Sequence, residues 1–120
     1  MCGITGFITS SNHFSYIEME LFLNSMKDAI VHRGPDNDGS WSNKQTGIWL
    51  GHRRLAIVDL SKAGHQPMQS ASSRYMISFN GEIYNHMILR QILETSGHVS
   101  KWRGHSDTET LLAGFDEWGI

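Results

Sequence analysis

Apolar and polar positions alternate with different periods along this chain, and each change of period marks an element. Residues 2–9 carry Ile4, Phe7 and Ile8 among small residues, the pattern of a buried strand. A polar turn follows at residues 10–13. Ser15 and Glu18 have the spacing of a capping box and open a helix. Its apolar face is Ile17, Leu21, Phe22, Met26, Ala29 and Ile30, and Gly34 and Pro35 stop it. Residues 32–39, rich in Gly, Pro, Asp and Asn, read as a loop. One strand surrounds Trp41. Another runs over residues 47–58 through Ile48, Leu50, Leu55, Ile57 and Val58, bent at Gly51. Residues 59–73 read mostly as turn and loop. A strand over residues 74–79 then runs into Asn80-Gly81-Glu82, a sharp-turn signal. A helix over residues 85–96 turns Ile88, Leu89, Ile92 and Leu93 inward, with Gly97 as its stop. Ser106 and Glu109 repeat the capping-box spacing ahead of Leu111, Leu112, Phe115 and Trp118. Strands and helices mix without a strict strand–helix–strand rhythm. That favours an α+β fold over a doubly wound parallel sheet.

Composition narrows the function classes. A length of 120 residues suits one domain with a modest core. The net charge is -2 with His neutral, so no basic field points to nucleic acid or an acidic membrane. No apolar run approaches the length of a membrane span. The apolar start is short and lacks a basic leader, unlike a secretory signal. Cys2 is the single cysteine, which forbids an internal disulfide and fits a reducing cytoplasm. The 7 histidines include no HExxH pattern and no tight His/Cys cluster, so no metal site is expected. Trp41, Trp49, Trp102 and Trp118 read as core or partner contacts rather than cofactor-stacking groups.

A lone cysteine is most often a small buried hydrophobe. The position of Cys2 changes that reading. Met1 precedes a small residue, so removal of the initiator leaves one residue carrying both a thiol and a free α-amine. That amine has a reference pKa of about 7.7–8.0 and is partly neutral near pH 7. A neutral amine beside a thiol is a built-in general base, the logic of N-terminal nucleophiles.

Six segments follow in a fixed order: Cys2-Gly3-Ile4-Thr5-Gly6, His32-Arg33-Gly34-Pro35-Asp36, Gly51-His52-Arg53-Arg54-Leu55-Ala56-Ile57-Val58-Asp59, Gln66-Pro67-Met68, Asn80-Gly81-Glu82-Ile83-Tyr84-Asn85-His86 and Ser106-Asp107-Thr108-Glu109. Together they resemble the class II glutamine amidotransferase domain, an N-terminal-nucleophile hydrolase, most closely that of the glutamine-hydrolysing asparagine synthetases. The resemblance covers nearly the whole chain. It implies the αββα sandwich of that hydrolase class, incomplete in this chain. Sugar-phosphate members of class II lack the wording of the second and fifth segments.

The resemblance also implies roles. Cys2 resembles the thiol that attacks the glutamine side-chain amide, giving a glutamyl thioester and ammonia. Asn80, through its side-chain amide, and Gly81, through its backbone N–H, would form the oxyanion hole. Asn-Gly is otherwise a common tight turn. Arg54, directly before the Leu-x-Ile-Val run, would bind the glutamine α-carboxylate, for which a planar guanidinium is suited. Arg53 is the weaker candidate, because neighbouring strand side chains point to opposite faces. Ile57 belongs to the same substrate-binding set. Glu82 would help hold the α-amine, and Asp107 would bind it directly. Asp107 also sits well as an acid at a helix start. An Arg54/Asp107 pair would recognise a free amino acid by its two ends. The Arg33-Gly34-Pro35-Asp36 loop resembles the segment beside the family's active site and is assigned no chemical role.

The pattern stops at Ile120. The family's domain continues with strands that complete two facing sheets, so residues 1–120 are expected to be its N-terminal portion, with apolar sheet surface exposed. In full-length members an ATP-dependent synthetase domain follows and amidates aspartate or a related carboxylate. No Ser-Gly-Gly phosphate loop is present here. No cofactor is expected in this segment, and ATP and Mg would belong only to a synthetase domain. L-Glutamine and that domain are the expected partners. A second, non-enzymatic reading is a truncated, inactive module that packs on or regulates a partner.

Overall fold

The structure, a computed structural model, describes residues 2–10, 13–56, 61–99 and 101–120. The chain divides into two compact units, the first ending at Ala56 and the second beginning at Ile57. Among the described residues, three α-helices and small antiparallel sheets make the fold α+β, as the mixed rhythm predicts.

In the first unit, strand β1 (Gly3–Ile8) leads to helix α1 (Tyr16–Ala29), then to β2 (Asn37–Asn43) and β3 (Ile48–Arg54). The three strands form one antiparallel sheet in the order β1-β3-β2. Its register pairs Gly3 with Arg53 and Phe7 with Trp49 on one side, and Asn37 with Arg54 on the other. Both halves of the predicted capping box form at α1. Ser15 N–H and hydroxyl donate to the Glu18 carboxylate at 2.7 and 2.8 Å, and Glu18 N–H donates to Ser15 Oγ at 3.3 Å. Those bonds from Ser15 hold the Glu18 carboxyl below its usual range.

The face of α1 that packs on the sheet differs from the predicted one. Met19, Leu23 and Lys27 are buried, one turn apart, and Met19 and Leu23 pack with Trp49 and Phe7. Ile17 and Leu21, read as inward, are 69% and 60% exposed, about half a turn away. Two features decide the orientation. A Cβ at Gly51 would come within 2.9 Å of Lys27 Cγ and 3.2 Å of Leu23 Cδ1, so the glycine is a notch into which α1 settles. Lys27 tolerates burial because it ion-pairs with Asp38 on β2.

In the second unit, two short strands, β4 (Met68–Gln69) and β5 (Met76–Ile77), pair antiparallel ahead of α2 (His86–Thr95) and α3 (Asp107–Trp118). Only two residues of the predicted strand over 74–79 pair as a strand. Beyond them the ladder stops because the Phe79 N–H donates to the Gln66 side chain at 2.6 Å instead of to a neighbouring strand. The Asn80-Gly81 pair therefore joins no hairpin; it lies in irregular backbone between β5 and α2.

Helix α2 buries Arg90 and Leu93, whereas Ile88 and Ile92, predicted inward, are 61% and 49% exposed. Gly97 follows it at φ +79, the left-handed stop expected there. At α3, Ser106 caps as predicted, its hydroxyl accepting from Thr108 N–H at 3.1 Å. Glu109 does not complete the box. Its carboxylate instead accepts from the backbone N–H groups of Arg103 and Gly104 at 2.7 and 3.0 Å. Burial would raise the Asp116 carboxyl further along α3. Hydrogen bonds from Ser72 and Ser70 and the Arg74 charge outweigh burial and hold it low. No helix among the described residues is long and apolar enough to cross a membrane.

Candidate active site

Cys2 is half-buried and immediately precedes β1. Its Sγ lies 3.4 Å from Leu55 N, which donates to it, and 3.6 Å from Leu55 O, to which it donates. The sulfur is thus seated on the backbone of the residue that follows Arg54. Strand alternation then separates the two arginines. Arg53 turns to the α1 side, where Nε donates to Lys27 O at 3.1 Å and a terminal nitrogen pairs with Asp28. Arg54, the next residue, faces away from α1. Cys2 precedes Gly3, the cross-strand partner of Arg53, and so its side chain shares the Arg54 face. Arg54 is buried at that face.

The loop between α1 and β2, which the sequence left without a chemical role, braces this end of β3. A Cβ at Gly34 would sit 2.4 Å from the Arg53 carbonyl atoms and 2.6 Å from Arg54 N, so only a glycine lets the loop lie against that peptide. Asp36 then brackets it. Its N–H donates to Arg54 O at 3.1 Å, and its carboxylate accepts from Ala56 N–H at 2.8 Å. Both bonds fall within two residues of Leu55, the seat of the Cys2 sulfur. The only sequence signal for this bracing was the turn-forming Gly-Pro-Asp itself. Ile57 lies outside the described residues.

In the second unit Asn80, Gly81 and Glu82 are exposed. Asp107 is buried in the first turn of α3, where the helix dipole favours a carboxylate. Its Oδ2 accepts from Ile83 N–H at 2.9 Å, which brings Asp107 to the residue directly after Glu82. The start of α3 is itself held by Arg90 of α2. The Arg90 guanidinium donates to Gly104 O at 2.8 Å, to Ser106 O at 2.9 Å and to Thr110 Oγ1 at 2.9 Å. It also pairs with Glu109 at 3.5 Å and lies 4.1 Å over the Trp102 ring. This satisfies a buried cation and fixes the backbone on both sides of the cap. Sequence reading missed Arg90, because a charged residue in an amphipathic helix counts as solvent-facing. Among the described residues, no group of three His, Cys, Asp or Glu side chains is placed to hold a metal ion.

This arrangement can do specific chemistry. One unit offers a half-buried thiol on the sheet face that carries the buried Arg54. The other offers amide donors and a carboxylate set on one short segment.

The chain matches the family described as "Glutamine amidotransferase domain" over residues 1–120. It is 41% identical over 113 residues to the glutamine-hydrolysing asparagine synthetase 1 of Bacillus subtilis, covering 94% of this chain and 17% of that protein. It is 37% identical over 120 residues to asparagine synthetase 3 of the same organism, covering 98% of this chain and 18% of that one. It is also 33% identical over 127 residues to the amidase chry2 of Gibberella zeae, covering 100% of this chain and 18% of that protein. The chain thus spans under a fifth of the length of these relatives.

Proposed function

We propose, because this chain belongs to the glutamine amidotransferase domain family, that it hydrolyses the side-chain amide of L-glutamine through a thioester on Cys2. The observation that carries the reading is the seating of the Cys2 sulfur on the Leu55 backbone, on the same sheet face as Arg54. Once Met1 is removed, the Cys2 α-amine takes the thiol proton. The sulfur attacks the amide carbon, and the carbonyl oxygen becomes an oxyanion held by the Asn80 amide and the Gly81 N–H. As the C–N bond breaks, the ammonium on Cys2 returns its proton to the leaving nitrogen, which departs as ammonia. Water then attacks the thioester, releasing glutamate and restoring the thiol.

Arg54 binds the substrate α-carboxylate, and Asp107 with Glu82 binds the α-amine. Ile57 completes the substrate contacts. The layering of α1 on the β1–β3–β2 sheet supports one α/β half of an N-terminal-nucleophile αββα sandwich. In the whole protein the ammonia passes to a synthetase that uses ATP and Mg to amidate aspartate or a related carboxylate. The Bacillus relatives, glutamine-hydrolysing asparagine synthetases, support that destination, and a cytoplasmic setting suits the free thiol.

Steady-state glutaminase kinetics on the intact protein test the roles. Arg54→Ala and Asp107→Ala are expected to raise KM about 10- to 100-fold, the effect of losing a charge-assisted hydrogen bond to the ground state, and Asp107→Ala is expected to lower kcat as well because it releases the Ile83 N–H. Asn80→Ala is expected to lower kcat by about 10²–10³. Arg53→Ala is expected to lower the melting temperature, because it unties α1 from β3, with KM little changed. A larger KM effect at Arg53 than at Arg54 would show that the wrong arginine carries the carboxylate.

A further inference from the structure

We propose that Gln66 is a positioning residue for the oxyanion-binding segment, its buried side-chain amide clamping Phe79, directly ahead of Asn80, onto the first turn of α3. This rests on the amidotransferase reading above and extends it to a residue outside the reacting groups.

The side chain of Gln66 is buried and used at both ends. Its Oε1 accepts from Phe79 N–H at 2.6 Å, and its Nε2 donates to Thr108 Oγ1 at 3.2 Å. A backbone N–H can only donate, so the oxygen must face Phe79, which fixes the orientation of the amide. Thr108 is itself buried, and its N–H is held by the Ser106 cap. The clamp therefore runs from the chain just before Asn80 to a turn held by the Ser106 cap and by Arg90.

A second tie lies four residues on, where Asp107 accepts from Ile83 N–H at 2.9 Å. Asn80, Gly81 and Glu82, all exposed, are the residues between the two ties. Both ties end on adjacent residues of α3, Asp107 and Thr108. The Phe79 ring adds a third constraint, since a Cβ on Gly81 would come within 2.6 Å of its Cζ. An exposed, irregular three-residue segment has few ways to hold two hydrogen-bond donors at a fixed spacing. Catalysis by such donors depends on their being in place before charge develops. Gln66 supplies that order at the Asn80 end, and Asp107 supplies it at the Glu82 end.

The test uses the intact protein, with glutamine hydrolysis and amide exchange as readouts. Gln66→Met keeps the shape and removes both hydrogen bonds. It is expected to lower kcat about 10-fold or more, with KM within about threefold, and to speed amide exchange at Phe79. Gln66→Glu keeps an acceptor for Phe79 and can accept from the Thr108 hydroxyl, so it should recover most of kcat. In an Asn80→Ala background, Gln66→Met should cost less than about threefold, because the group it positions is gone. Unchanged kcat in Gln66→Met, or the same fold-loss in both backgrounds, would overturn the proposal and leave the Cys2 reading standing. Should Gln66→Met fail to fold, Thr108→Val decides. It frees one end of the clamp and is expected to lower kcat about threefold at constant KM, and an unchanged kcat would overturn the proposal. Wild-type protein without glutaminase activity that Cys2→Ala removes would overturn the amidotransferase reading, and this proposal with it.

Discussion

Cys2→Ala is expected to reduce glutamine hydrolysis by about 10⁴-fold or more, to background, because no other group can form the acyl intermediate. Cys2 is the chain's one thiol. Its structural investment is small: a half-buried side chain with two weak sulfur hydrogen bonds to the Leu55 backbone at 3.4 and 3.6 Å. The substitution should therefore leave the melting temperature nearly unchanged while removing activity. Ammonia-dependent synthesis in the whole protein should survive, since free ammonia bypasses this site. A structural cysteine predicts the opposite pattern, a loss of stability with activity retained in proportion to folded protein.

Retention of Met1 should have an effect of similar size. A peptide bond at the Cys2 nitrogen replaces a basic amine with an amide that cannot accept the thiol proton. It also adds a residue covalently next to the thiol, and a substrate misplacement of about 1 Å can cost about 100-fold. A preparation that keeps Met1, or carries a tag ahead of it, is expected to fold normally and to be inactive. Intact mass, thermal melting and glutaminase activity measured on processed and unprocessed protein check this together. Equal activity in the two would exclude the α-amine as the base.

The sequence made some of this plain and concealed the rest for identifiable reasons. The starts of α1 and α3 fall where Ser15 and Ser106 place them, and α2 ends just ahead of Gly97, because those signals act over three or four residues. Helix α1 ends at Ala29, ahead of the stop expected at Gly34 and Pro35. The face of α1 was misjudged, and that of α2 was right at Leu93 but wrong at Ile88 and Ile92, because each helix turns a charged residue inward, Lys27 against Asp38 and Arg90 against Glu109. Hydrophobic periodicity counts such residues as solvent-facing, and the partner that makes burial tolerable lies elsewhere in the chain. The family resemblance points to Arg54, and strand alternation adds only that Arg53 faces the other way; the anchoring of Arg53 to α1 fits that alternation. The bracing by Asp36 and the clamp by Gln66 were not legible. Their bonds join residues 20 and 42 positions apart, and no local pattern announces a hydrogen bond between distant segments.

The central claim is that Cys2 is a nucleophile in a site shaped for free glutamine. Its most direct test is intact-mass analysis of the processed protein treated with an electrophilic glutamine analogue, with and without excess glutamine. The account predicts one adduct per chain, located at Cys2, slowed by glutamine and further weakened in protection by Arg54→Ala. No adduct on folded protein, or labelling at a rate that glutamine does not change, would contradict it.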